Sequence, residues 1–163
     1  RNHVTAPGPE GRDVDFERVL TNVLDVFDRH QIRYAVVGGF AVGVLGVMRA
    51  TMDLDFLIHR EDLQTLHEAL TGLGYRRIAQ DTNVSHYIHA EAVWGRLACL
   101  HAFRQVSLGM LERARAVPIL EGKRIIKVAQ PEENARRIRN TVRACVTGIS
   151  PAGSGWAVPV NTR

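Results

Sequence analysis

Two cysteines are all this chain contains, Cys99 and Cys145, and they sit in apolar contexts with neither CxxC spacing nor paired histidines beside them. That arrangement argues against a zinc site and fits a reducing, cytoplasmic setting. No apolar run approaches the roughly 20 residues needed to span a bilayer, so no membrane partner is expected. Residues 1–13, RNHVTAPGPEGRD, have no apolar h-region and read as a loose, flexible polar leader, neither signal peptide nor membrane anchor. There is no G-x-x-x-x-G-K-[ST], which excludes a phosphate loop of the Walker type. Internal repeats and low-complexity blocks are also missing.

The 163 residues, 45% hydrophobic and 23% charged, have the balance of a soluble globular protein and suffice for one domain with a real core. A formal charge of +4 points toward an anionic partner such as a nucleotide or RNA, with a mildly basic surface as the plain alternative.

Phe16, Val19, Leu20, Val23, Leu24 and Phe27 recur at helical spacing and predict an amphipathic helix over 14–30. RYAVVGG predicts a short buried strand ending at Gly38 and Gly39, and FAVGVLG a short helix closing at Gly46. A second strand is expected over 53–58, then a helix with Leu63, Leu66, Leu70 and Leu73 on one face. Strands follow around 75–79, 85–90 and 96–103, then a helix over 106–117 interrupted at Pro118. Glu121 and Gly122 between two β-prone runs predict a hairpin. PEENARRIRNTVRACV predicts a terminal helix that exposes Arg136, Arg137, Arg139 and Arg143. This order predicts an α/β (α+β) domain over 14–146, a mixed sheet with helices mainly on one face, and a flexible tail over 147–163. The later strands lack long helical crossovers, which argues against a fully parallel sheet.

The chemistry concentrates in YAVVGGFAVGVLGVMRATMDLDFLIHRED. Asp53 and Asp55 are two apart, so a strand points both carboxylates to one face while Leu54 and Phe56 point to the other. Like charges side by side at the end of a buried strand call for a cation, and hard oxygen ligands suit Mg²⁺ together with substrate phosphates. A strand that ends in Gly-Gly and opens a helix lets backbone N–H groups approach a phosphate. Arg49 and Thr51 would add a cationic contact and a hydroxyl to the same phosphates. The plain alternatives are a simple turn at Gly38 and Gly39, a loop cap at Asp53 and a solvated strand residue at Asp55.

The segment VVGGFAVGVLGVMRATMDLDFLI resembles the signature of the nucleotidyltransferase superfamily with the DNA polymerase β type fold, and it is similar to minimal, toxin-type bacterial members, including those of type IV toxin–antitoxin systems. The resemblance extends over about 14–133 and is specific over 36–58. It implies Gly38 and Gly39 at the triphosphate of an NTP, Asp53 and Asp55 on Mg²⁺ or Mn²⁺, and transfer of a nucleotidyl group to an RNA, tRNA or protein hydroxyl. It also implies a third carboxylate from a neighbouring strand. The matching strand here is GRLACLHAF, which carries Ala98 where an acid is expected. Slow transfer, or nucleotide binding without chemistry, follows as the expectation, since loss of a general base typically costs about 10²–10⁴ in rate. Among possible substitutes, His101 should face away from the site, and Glu91 and Asp81 read by default as solvated loop acids. The arginines of the terminal helix would either track an RNA backbone or form a solvated face. A catalytically inactive nucleotide-binding or interaction module is the alternative function.

Overall fold

Asp15 starts the first helix. Its side chain accepts the Arg18 N–H at 3.1 Å, and α1 (Phe16–Arg29) carries Glu17 in its first turn and Arg29 in its last, both matched to the helix dipole. The computed structural model describes residues 14–38 and 53–130, which lie in one compact unit. The expected helix at 40–46, the arginine helix over 131–146, the leader and the tail fall outside the described residues, as do Gly39, Arg49 and Thr51.

After α1 come β1 (Tyr34–Val37), β2 (Asp53–His59), a 3₁₀ turn (Arg60–Asp62) and α2 (Leu63–Gly72). Then follow β3 (Tyr75–Gln80), β4 (Val84–His89), a second 3₁₀ turn (Ala92–Trp94), β5 (Arg96–Ala102), α3 (Gln105–Glu112), β6 (Arg115–Ile119) and β7 (Arg124–Val128). The strands form one mixed sheet in the order β3-β4-β5-β2-β1-β7-β6. The β2–β5 and β1–β7 pairs are parallel and the others antiparallel.

These pairings make β2, β3, β5 and β6 run the same way. The connection from β2 through α2 to β3 and the connection from β5 through α3 to β6 travel toward opposite edges of the sheet. Right-handed crossovers in opposite directions place their helices on opposite faces. Accordingly α1 and α2 cover one face, where Val19, Val23, Phe27, Leu66 and Leu70 pack against Tyr34, Val36, Leu54, Phe56, Ile58, Leu97 and Cys99. The Phe27 ring centroid lies 5.1 Å from both Tyr34 and Phe56. The short α3 crosses β1, β2 and β5 on the other face.

Two expectations change. The helix foreseen over 106–117 ends at Glu112, because Arg115–Ile119 pairs with β7 through the turn at Leu120–Lys123. Pro118 therefore sits within a strand rather than breaking a helix. It is tolerated because β6 is the sheet edge. The second change is that a later strand does have a helical crossover, α3, although the sheet is mixed as expected.

A clamp closes the end of the sheet away from the aspartates. Arg33 donates to Asp62 through its backbone N–H, Nε and Nη2, each at 2.9 Å, and through Nη2 to Glu61 at 3.2 Å. This joins the start of β1 to the entry of α2.

Candidate functional site

Alternation along β2 sends Leu54, Phe56 and Ile58 into the helix-covered core and leaves Asp53 and Asp55 on the opposite face. Asp53 is exposed and Asp55 half-buried. Among the described residues neither carboxylate has a hydrogen-bond or ion-pair partner. Burial, and secondarily the charge of Asp53, push the Asp55 carboxyl up to about 6.

On one side Asp55 is in register with Val37, the last residue of β1. Gly38 follows with φ 76°, a left-handed conformation that glycine adopts freely. A Cβ at Gly38 would run into Oδ2 of Asp55, so the glycine is what lets the chain leave β1 directly beside the carboxylate. The structure thus sets Gly38 directly against Asp55.

On the other side Asp55 is in register with Ala98 of β5. Ala98 is 5% exposed and shares the face of the carboxylate, so no acid flanks Asp55 on this strand. One strand further, Ala98 pairs with His86 of β4, which continues the row Val37, Asp55, Ala98, His86 on a single face. Sequence reasoning missed His86. The signal lay in the alternation of VSHYIH, where Ser85 and Tyr87 bury, but the register that aligns it with Asp55 is set by long-range pairing.

The other candidates lie elsewhere. His101 faces the helix side, where Nδ1 donates to the Thr82 carbonyl at 3.0 Å and Nε2 meets Ser85 Oγ at 2.8 Å. Burial lowers its pKa, and it is a packed core histidine, turned from the site as expected. Asp81 caps the β3–β4 turn by accepting the Asn83 and Val84 N–H groups at 2.6 and 2.9 Å, at the opposite end of the sheet from Asp53. Glu91 is at the same end as Asp53 but opens the second 3₁₀ turn, whose Val93 carbonyl accepts the Asp15 N–H at 2.9 Å on the α1 side. Its own N–H donates to His89 Nδ1 at 3.0 Å.

Among the described residues no group of three or more His, Cys, Asp or Glu is arranged to hold a metal. The pair Asp53 and Asp55 still fits a divalent ion of the Mg²⁺ type, which takes one or two carboxylates and draws its remaining ligands from water and phosphate. The raised Asp55 shows the electrostatic demand such an ion would meet.

Solved structures of similar fold decide the architecture. ANT(2")-Ia, solved in complex with adenylyl-2"-tobramycin, superposes with a TM-score of 0.54 at 19% identity, covering 70% of each chain. A Thermotoga maritima protein assigned as a nucleotidyltransferase gives 0.59 at 12% identity, over 86% of this chain and 94% of that one. The fold is that of the nucleotidyltransferases. The lincosamide antibiotic adenylyltransferase LnuA, lincomycin-bound, gives 0.52 at 16% identity over 81% and 98%. No protein-family model and no curated protein sequence matches the chain. Within this nucleotidyltransferase fold, Asp53 and Asp55 occupy a strand in the middle of the sheet, beside the turn that begins at Gly38. No described helix is long and apolar enough to cross a membrane.

Proposed function

We propose that the protein binds a nucleoside triphosphate with Mg²⁺ or Mn²⁺ and transfers its nucleotidyl group to a hydroxyl acceptor. The observation that carries this reading is the close approach of Gly38 to Asp55 within a nucleotidyltransferase fold. Gly38, with Gly39, would present backbone to the phosphates, and Arg49 and Thr51 would add side-chain contacts. Asp53 and Asp55 would hold the ion. When bound, the ion offsets the charge of the carboxylates and of the departing phosphates. In the reaction the acceptor oxygen bonds to the α-phosphorus, the bond from that phosphorus to the bridging oxygen breaks, and pyrophosphate leaves with the electron pair.

For the acceptor, the sequence resemblance supports an RNA, tRNA or protein hydroxyl, in a cytoplasmic setting and with a toxin–antitoxin context. The adenylyltransferase structures support a second reading, a small molecule of the kind seen with tobramycin and lincomycin. Ala98 beside Asp55 favours the further alternative of nucleotide binding without turnover.

The test is label transfer from each α-labelled NTP, with Mg²⁺ or Mn²⁺, to total RNA, mixed protein, tobramycin and lincomycin, run beside Asp53→Ala. Labelling by the unaltered chain that Asp53→Ala abolishes is the expected result. An Asp53→Ala protein that keeps full Mg²⁺-dependent nucleotide binding would overturn the assignment.

A further inference from the structure

The row that begins at Asp55 ends on a side chain with no structural employment. His86 is half-exposed on the same face as Asp55, and among the described residues it has no hydrogen-bond partner. The other histidines of the sheet are all engaged. His59 accepts the Glu61 N–H at 3.2 Å, His89 bonds the Leu73 carbonyl at 2.9 Å, and His101 is held by Thr82 and Ser85.

Across the neighbouring strands His86 is in register with Ala98 on β5 and Ala79 on β3, so its cross-strand partners carry only methyl groups. Ala98 lies one strand spacing, about 4.8 Å, from Asp55 on one side and from His86 on the other. Ala98 is 5% exposed between them, so the carboxylate and the imidazole flank a short, recessed side chain on one face.

We propose that His86 is the general base of the transfer reaction, acting across Ala98 where an acid on β5 would otherwise act. This rests on the nucleotidyl-transfer reading and adds to it the group that activates the acceptor. The acceptor hydroxyl lies between the Asp55 and His86 side chains, and its proton passes to a ring nitrogen of His86 as its oxygen bonds to the α-phosphorus. Pyrophosphate carries away the electron pair of the broken bond, and the imidazolium returns its proton to solvent. An imidazole suits this task because its unprotonated ring nitrogen accepts a hydroxyl proton directly.

The experiment compares the unaltered chain, His86→Ala, and the double variant His86→Ala with Ala98→Asp. Three readouts are taken: Mg²⁺-dependent binding of a fluorescent ATP analogue, thermal unfolding, and release of α-label to total RNA, mixed protein, tobramycin, lincomycin and water. The expected result is that His86→Ala binds nucleotide within about twofold and unfolds at the parent temperature, yet transfers about 10²–10⁴ more slowly. Added imidazole restores part of the loss, and Ala98→Asp restores transfer in the His86→Ala background. Unchanged transfer by His86→Ala overturns the inference. So does an unaltered chain that binds the nucleotide with Mg²⁺ but labels nothing, water included; that outcome leaves nucleotide binding standing. Absence of Mg²⁺-dependent binding in the unaltered chain overturns the transfer reading and this inference together.

Discussion

Gly38 and Asp55 occupy space that only a glycine leaves available: at φ 76°, a side chain on residue 38 would overlap Oδ2 of the carboxylate. Gly38→Ala should therefore lose at least about 2 kcal/mol of stability, the sum of left-handed strain and steric displacement. Urea unfolding measures it. The same variant should bind Mg²⁺ and nucleotide more weakly, because the displaced group is a carboxylate of the site. An alanine variant with parental stability and binding would show that the approach is looser than described.

Asp55 gives a pH signature of unusual sign. Its folded-state pKa, about 6, lies above the ordinary 3.8, so the folded chain holds this proton more tightly than the unfolded chain. The associated stability is present below about pH 4 and is lost as pH rises through about 6. Asp55→Asn should remove that dependence and make the metal-free protein more stable at pH 8, by at most about 3 kcal/mol. At pH 4 the two proteins should match. Thermal unfolding across this range checks it, and a less stable variant at pH 8 would contradict it.

The Arg33 and Asp62 pair behaves oppositely. Hydrogen bonds from Arg33 hold the Asp62 carboxyl below its usual range, so its contribution is present above about pH 4 and lost as pH falls further. Asp62→Asn should cost about 1 kcal/mol at pH 7, consistent with a multiply bonded pair whose arginine is half-exposed. The difference should shrink in acid, as urea titrations at pH 7 and pH 3 would reveal.

Ala98→Asp tests the position beside Asp55. A second acid at a position 5% exposed should destabilise the metal-free protein by roughly 2 kcal/mol at pH 8. Mg²⁺ should recover more stability in this variant than in the parent. Equal Mg²⁺ shifts in melting temperature would mean that the new carboxylate does not face the ion.

Much of this site was readable before any coordinates. The Asp53 and Asp55 spacing, the glycine at the end of β1 and the face of α1 are local patterns, and each appears as expected. His86 was not readable, because its place opposite Asp55 depends on two strand pairings between segments far apart in the chain. The overrun of the helix past Glu112 has the same origin. RAVPI has no strong period of its own and becomes a strand by pairing with RIIKV.

Pro118 on the outermost strand has a consequence for assembly. It presents no N–H to any strand that might add to that edge. At the other margin β3 exposes Arg76 and Arg77, and its pairing with β4 slips between Arg77 and Ala79. Charge and irregularity discourage a neighbour there as well. Both rims of the sheet therefore carry features that oppose its growth into fibres through backbone pairing.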